Sequence, residues 1–111
     1  MDQDTASYII NYFSRFLSVN EAKAIRHETS LFKVGDDEKL LQMHSKRGWI
    51  SDDPEILEML RDGFETFRVR TAERILKEND DLVFLNKCPE CFKLTRTPNA
   101  KQCRHCNHDW H

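Results

Sequence analysis

The sequence predicts a mainly α protein, a small bundle of about four helices followed by a short C-terminal β-hairpin. Three observations support this prediction. Apolar residues recur at helical spacing through residues 1–86, Gly and Pro are rare, at three each in 111 residues, and all four cysteines fall within the last 24 residues. We therefore predict two domains, a helical domain at 1–86 and a cysteine-rich tail at 87–111.

The first two helices are predicted from apolar periodicity and from capping residues. A helix over residues 5–17 presents one wide apolar stripe, with Asp4 or Thr5 as its N-cap. The second helix is predicted to start after Asn20, a favourable N-cap, and to stop before Gly35, which suits the end of a helix.

The third and fourth helices follow from the same signals. The third is predicted to begin at Asp36 and Asp37 and to end at Gly48. The fourth begins at Asp53, an N-cap followed by proline at the first helical position, and its apolar face continues to about residue 78. Such a helix would be roughly 37 Å long. Gly63 lies in its middle, where we expect a neighbouring helix to pass close, with a hinge as the alternative.

A short apolar segment connects the last helix to the tail. Asp80 and Asp81 are expected to end the helix, and residues 82–85 are all apolar. This run is either a strand that leads into the tail or the surface on which the tail docks.

The charge balance excludes some classes of protein. The chain has 17 basic and 19 acidic residues and a formal net charge of −2, which argues against a generally basic protein that coats nucleic acid. Residues 1–86 are net acidic and residues 87–111 net basic. No apolar run approaches the roughly 20 residues that span a bilayer, and the acidic N-terminus is unlike a secretory signal. We therefore expect a cytoplasmic protein with no membrane partner.

The tail carries the strongest chemical signal in the chain. Two Cys-x-x-Cys pairs, Cys88 with Cys91 and Cys103 with Cys106, are separated by eleven residues. This spacing predicts one structural Zn²⁺ held by four thiolates. Because a tail of this size cannot build its own core, the metal would supply about 10 kcal/mol or more of its folding free energy. Between the pairs, residues 92–96 and 101–102 are predicted to form the hairpin, with its turn at 97–100.

The tail resembles a zinc ribbon, in which two zinc knuckles are joined by a hairpin, and the resemblance rests on these four cysteines. The whole chain is also similar to small bacterial proteins that combine a helical segment with a ribbon tail, and that resemblance brings no assigned activity. Zinc knuckles usually have glycine after the second cysteine, where the backbone turns left-handed. Here Phe92 and Asn107 occupy those positions. Asn tolerates the left-handed conformation, whereas Phe adopts it at a cost of roughly 1 kcal/mol.

Other interpretations of the same cysteines remain open at this point. The four could form two disulfides, or one pair could be a thioredoxin-like redox site, although neither pair has the required strand–helix context. Iron in a rubredoxin-like centre would use the same ligands. His105, His108 or His111 could also replace a cysteine, although with four thiolates available we expect these histidines to be spectators. His27 and His44 are expected to be partly exposed structural residues.

No catalytic motif accompanies the metal signal. The chain lacks His-Glu-x-x-His, a Gly-rich phosphate loop and Gly-x-Ser-x-Gly, and four cysteines favour a closed metal site over a catalytic one. We therefore predict a non-enzymatic protein-interaction module with no evident small-molecule substrate. A redox or metal-dependent enzyme is the less favoured alternative.

The second functional hypothesis is binding of DNA or RNA by the tail. Basic residues beside an aromatic ring can contact phosphates and stack on bases. The candidate contacts for nucleic acid or a protein partner are Lys93, Arg96, Lys101, Arg104 and Trp110. Alternatively, these charges are simply solvated, while Phe92 and Trp110 pack against Val83, Phe84 or the long helix.

Overall fold

The computed structural model describes all 111 residues and is mainly helical, as predicted, with no β-sheet. The five α-helices are α1 (Gln3–Tyr12), α2 (Val19–Val34), α3 (Glu38–Lys46), α4 (Pro54–Met59) and α5 (Phe64–Glu78), with a 3₁₀ turn at Ser14–Phe16 after α1. No helix combines the length and the apolar character that crossing a bilayer requires.

The contacts divide the chain into two compact units. Unit 1 contains Met1–Phe16 and Arg68–His111, and unit 2 contains Leu17–Phe67. The division falls inside α5, and the cysteine-rich tail belongs to the same unit as α1. The predicted boundary between residues 86 and 87 is based on the change in charge and cysteine content along the sequence. It stays a prediction.

In unit 1, α1 begins earlier than predicted. Asp2, not Asp4 or Thr5, is the N-cap, and its carboxylate accepts a hydrogen bond of 2.7 Å from the Thr5 backbone N–H. The hydrogen bonds from Thr5 hold the pKa of Asp2 below its ordinary value. Further along the chain, the Arg74 side chain donates to the Phe16 carbonyl at 3.0 Å, which ties the C-terminal half of α5 to the turn after α1.

In unit 2, a capping box sets the start of α2. The Ser18 hydroxyl accepts from the Glu21 N–H at 3.1 Å, and the Glu21 carboxylate accepts from the Ser18 N–H at 2.7 Å. This reciprocal pair satisfies two backbone donors, and the prediction that Asn20 caps the helix is therefore wrong. The predicted end of α2 at Gly35 is confirmed. Helix α2 packs against α3 and α4, around a core of Ala24, Ile56 and Phe67.

The prediction of one long helix from residue 54 to residue 78 is wrong, because Gly63 separates α4 from α5. Gly63 has a φ of +97°, which an L-residue rarely adopts, and its carbonyl accepts the first backbone hydrogen bond of α5 from Phe67 at 3.0 Å. A Cβ atom at Gly63 would have no neighbour within 4 Å. The glycine is therefore explained by its backbone conformation and not by the close approach of another helix.

Both histidines of unit 2 are buried, which corrects the expectation that they are partly exposed. The Nδ1 atom of His27 accepts a hydrogen bond of 2.9 Å from the Ser51 N–H, and His44 packs edge-on against Trp49 at 4.9 Å between ring centroids. Because the segment after α3 folds back over these rings, sequence spacing within the helices did not indicate their burial.

The backbone at Gly63 yields a first prediction. Replacing Gly63 with Ala should lower the free energy of unfolding by about 1–2 kcal/mol, because the new side chain strains the positive φ and gains no contact. Urea denaturation measures the change. Thr66→Ala, an exposed position in α5, is the control and should leave stability unchanged or slightly raised. Equal stability of the Gly63→Ala and wild-type proteins would contradict this account of the break.

Candidate metal centre

The side chains of Cys88, Cys91, Cys103 and Cys106 converge in unit 1. Their four sulfur atoms all lie within 4.8 Å of one another, with Cys88 3.6 Å from Cys106 and Cys91 3.5 Å from Cys103. A tetrahedron with metal–sulfur bonds of about 2.3 Å has edges of about 3.8 Å, close to these distances. A disulfide requires a sulfur–sulfur distance of about 2.05 Å, so the four thiols are free. Their positions are those of a group that could hold a metal ion.

Each cysteine pair sits in a backbone turn, and the two turns repeat the same hydrogen bonds fifteen residues apart. The Cys88 N–H donates to the Lys93 carbonyl at 2.9 Å, and the Cys103 N–H donates to the His108 carbonyl at 2.8 Å. Isolated antiparallel bridges follow the same offset, between Lys87 and Leu94 and between Gln102 and Asp109. The tail is therefore built from two equivalent turns that face a common centre.

This arrangement changes the predicted hairpin. The backbone pairing lies within each turn, whereas the prediction paired residues 92–96 with residues 101–102. Each turn needs its own pairing to aim two sulfur atoms at one point. The segment between the turns is held by side chains instead.

Backbone N–H groups point at the sulfur atoms. The N–H groups of Glu90 and Cys91 approach the Cys88 sulfur at 3.4 and 3.5 Å, and the His105 N–H approaches the Cys103 sulfur at 3.3 Å. At Cys103 this donor helps to lower the pKa of the thiol and so favours the thiolate, which is the form that binds metal.

Within the group of four closely spaced thiols, the pKa values of Cys103 and Cys106 shift in opposite directions. Backbone hydrogen bonds from Cys106 and then His105 lower the pKa of the Cys103 thiol to about 6. At Cys106 the His108 backbone N–H lowers the pKa, but burial and the other three thiols together raise it to about 12. Four thiolates at these distances therefore need a positive charge among them, and a divalent cation supplies it.

The residue after each pair adopts the left-handed conformation expected from the resemblance. Phe92 and Asn107 both have a φ of +63°. The Phe92 side chain is 73% exposed, and the expectation that it packs against Val83 or Phe84 is therefore wrong. Its strained backbone is not offset by burial of the ring.

A buried polar network holds the segment between the two turns. The Asn86 amide donates to the carbonyls of Thr97 and Ala100 at 3.0 and 2.9 Å. The backbone N–H and the hydroxyl of Thr95 both donate to the Asn86 carbonyl at 2.8 Å. Thr95 is only 1% exposed. These residues fix the connection that brings the two cysteine pairs together.

Tyr8 connects this network to α1. Its hydroxyl donates to the Phe84 carbonyl at 2.6 Å and accepts from the Asn86 N–H at 3.2 Å. Burial raises the pKa of Tyr8 above its ordinary value. Residues 82–85 form no strand, and within this run Val83 is buried while Phe84 is exposed. Sequence reasoning missed the roles of Tyr8, Asn86 and Thr95, because no local pattern links residues so far apart in the chain.

The three C-terminal histidines lie outside the sulfur cluster, which contains cysteines alone. The His108 ring stacks on Trp110 at 5.8 Å between centroids, and the His111 Nδ1 atom pairs with Asp109. The Nε2 atom of His105 lies 3.5 Å from the Nε atom of Arg104. The geometry therefore favours four sulfur ligands.

Three of the five candidate contact residues line two cavities that share Arg104. Lys93 and Arg104 line one cavity, and Arg96 and Arg104 line a second groove. Lys101 is exposed but lines neither of them, and Trp110 is half-buried against His108. The first cavity also contains Asp2 and Asp4, and the Asp4 carboxylate lies 3.7 Å from Arg104.

No protein-family model, no curated protein and no solved structure matches this chain. The likeness to zinc ribbons and to bacterial proteins with ribbon tails therefore stays a prediction from the sequence. The class of site is defined by geometry alone: a four-cysteine cluster placed to hold a metal ion, on a mainly helical protein.

The buried network yields a second prediction. Thr95→Val should lower the free energy of unfolding of the metal-loaded protein by about 1 kcal/mol, because the buried hydroxyl no longer donates to the Asn86 and Thr97 carbonyls, while each carbonyl keeps its other donor. Thr97→Val makes the same chemical change at a side chain with no comparable hydrogen bonds and should have a small effect. Urea denaturation followed by circular dichroism compares the two variants. An equal loss of stability in the two variants would show that the hydrogen bonds of the Thr95 hydroxyl do not stabilise the tail.

Proposed function

We propose that this protein binds one structural Zn²⁺ through Cys88, Cys91, Cys103 and Cys106, and that the metal-stabilised unit is a protein-interaction module without catalytic activity. The observation that carries the proposal is the closed set of four sulfur atoms within 4.8 Å of one another. Structural zinc sites are four-coordinate, whereas catalytic zinc sites keep one position for water or substrate. With four protein ligands, none of the four positions is left for a reacting molecule.

The proposed compartment and metal follow from the same thiols. Free thiols persist where the environment is reducing, and we therefore place the protein in the cytoplasm. Tetrahedral sulfur ligands also suit iron. Zinc is favoured because it accepts tetrahedral thiolate ligands with no electronic preference of its own and fits a closed structural site.

Metal analysis gives the third prediction. The purified protein should contain about one zinc per chain and be colourless, and removal of zinc by a chelator should unfold the tail, since the metal supplies most of its folding free energy. Circular dichroism and mass spectrometry under native conditions measure both effects. Visible absorption with bound iron would overturn the choice of metal, and a tail that keeps its structure without metal would overturn the structural role.

Two matched variants separate ligands from neighbours. Cys106→Ser should reduce zinc retention against a competing chelator by at least tenfold, because a thiolate ligand is lost. His105→Ser, at an exposed position outside the cluster, should retain zinc like the wild type. Loss of zinc from the His105→Ser variant would contradict the proposed ligand set.

Phe92 supports the interaction role. It is strained, with a φ of +63°, and its ring is 73% exposed. Because Asn107 has the same φ in the equivalent turn, the turn explains the left-handed backbone, and the exposed ring is the feature that points to a contact surface. Beside it, Lys87, Lys93 and Arg104 line the same cavity as Asp4. Mixed charges around an exposed aromatic ring suit a protein partner with both charged and apolar groups.

The charges around Phe92 weigh against the nucleic-acid hypothesis. The two aspartates of this cavity offset part of the attraction of its basic residues for a phosphate backbone, and Arg104 already faces Asp4 at 3.7 Å. Four thiolates with one Zn²⁺ add a net charge of −2 to the basic tail. Binding to single-stranded DNA or RNA that falls steeply with salt, and that Arg96→Ala or Arg104→Ala weakens, would favour nucleic acid instead.

Replacing Phe92 provides the fifth prediction. Phe92→Gly should raise the free energy of unfolding of the zinc-loaded protein by about 1 kcal/mol, because glycine adopts the left-handed conformation without strain. Asn107→Gly should raise it less, since Asn tolerates this conformation. Urea denaturation measures both. A loss of stability in Phe92→Gly would show that the ring contributes to folding, and the argument for an interaction surface at Phe92 would fail.

A further inference from the structure

Unit 2 contains a cavity that is separate from the metal centre. It has a volume of about 430 Å³ and is lined by residues of α2 and α3 together with Leu17 and Trp49. Its apolar wall includes Ile25 beside the Trp49 indole. Cavities that bind small molecules typically measure roughly 300–1,000 Å³ and combine apolar walls with a few polar groups.

The polar groups of this cavity are cationic or neutral. Arg26 and Lys33 line it, with the hydroxyl-bearing Thr29 between them on α2. Positions 26, 29 and 33 share one helix face because they are spaced by three and four residues. No acidic residue lines the cavity, and no ion pair joins Arg26 or Lys33 to a carboxylate of this chain.

A third cation lies beside the aromatic wall. The Arg47 guanidinium sits 5.0 Å from the centroid of the Trp49 ring. Two cations therefore line the cavity, and a third stacks on the Trp49 ring of its wall, in a chain with a net charge of −2. Arg26 also lines a neighbouring groove that contains Asp53, but the Asp53 carboxylate accepts the hydrogen bond that caps α4.

His44 forms part of the cavity wall and is 7% exposed. Its Nδ1 atom has no hydrogen-bond partner in the chain and is inaccessible to solvent, so a molecule in the cavity would not reach this nitrogen. The imidazole packs edge-on against Trp49 and belongs with it to the wall of the cavity.

We propose that this cavity binds a small carboxylate with an aromatic or branched apolar body. The carboxylate lies between Arg26 and Lys33, where it gains two charge-assisted hydrogen bonds, and the apolar body packs on Ile25 and Trp49. This ligand class fits both the cations and the apolar wall, whereas a simple inorganic anion uses only the cations. The proposal is independent of the zinc site and of the interaction role.

The test uses the full-length, zinc-loaded protein labelled with ¹⁵N. Phenylacetate and 2-naphthoate are titrated alongside their carboxamides, which have the same shape without the charge, and alongside inorganic phosphate. The indole N–H signals of Trp49 and Trp110 report on the two units separately. The expected result is saturable movement of the Trp49 signal with a carboxylate, no movement of the Trp110 signal, and at least tenfold weaker binding of the matching carboxamide.

Charge-neutralising variants locate the binding group. Arg26→Gln and Lys33→Gln should each weaken carboxylate binding by about fivefold, which corresponds to about 1 kcal/mol. Lys39→Gln removes the same charge at an exposed position of α3 outside the cavity and should leave the affinity unchanged. The ¹⁵N spectrum of each variant establishes that unit 2 is folded.

Four outcomes would overturn the proposal. These are no binding of either carboxylate at millimolar concentration, equal binding of acid and carboxamide, equal binding of inorganic phosphate, and unchanged affinity in both Arg26→Gln and Lys33→Gln. Since zinc content is measured on the same samples, failure of this proposal remains distinguishable from failure of the metal assignment.

Discussion

The convergence of four sulfur atoms within 4.8 Å is the constraint on which the C-terminal part of unit 1 depends. A tail of about 25 residues buries too little apolar surface to fold alone, and four thiols at this separation oppose one another's ionisation, as the raised pKa of Cys106 shows. A divalent metal ion would address both problems, since it would link the two turns in place of an apolar core and offset half of the charge of four thiolates. The paired turns, their left-handed residues and their bridges are the backbone geometry that aims the four sulfurs at one point.

The metal centre is also connected to the helices by polar groups. Tyr8 on α1 bonds to the backbone at Phe84 and Asn86, and Asn86 in turn holds Thr95 and the connection between the two turns. Polar networks of this kind are stabilising only when every member has a partner. They therefore specify one arrangement of the tail, whereas the exposed and strained Phe92 contributes little to that arrangement.

The two units carry different chemistry. Unit 1 combines a closed set of four sulfur atoms with a cavity of mixed charge around an exposed ring, and the proposed interaction role rests on these features. Unit 2 has a cavity lined by Ile25, Trp49 and the cations Arg26 and Lys33, and the proposed carboxylate site rests on this lining. The positive φ of Gly63 makes α4 a short helix of its own, and Ile56 of α4 then reaches the core with Ala24 of α2 and Phe67 of α5.

The sequence by itself determined the mainly helical fold, the end of α2 at Gly35, the N-cap of α4 at Asp53 and the four cysteines, because these features depend on local periodicity, backbone conformation and short spacing. It did not determine the break at Gly63, since an apolar face that continues across a glycine looks the same whether the helix bends, packs closely or stops. Nor did it reveal the capping pair at Ser18, the burial of His44 or the network of Tyr8, Asn86 and Thr95. These features depend on which residues meet in space, and the tertiary structure alone decided them.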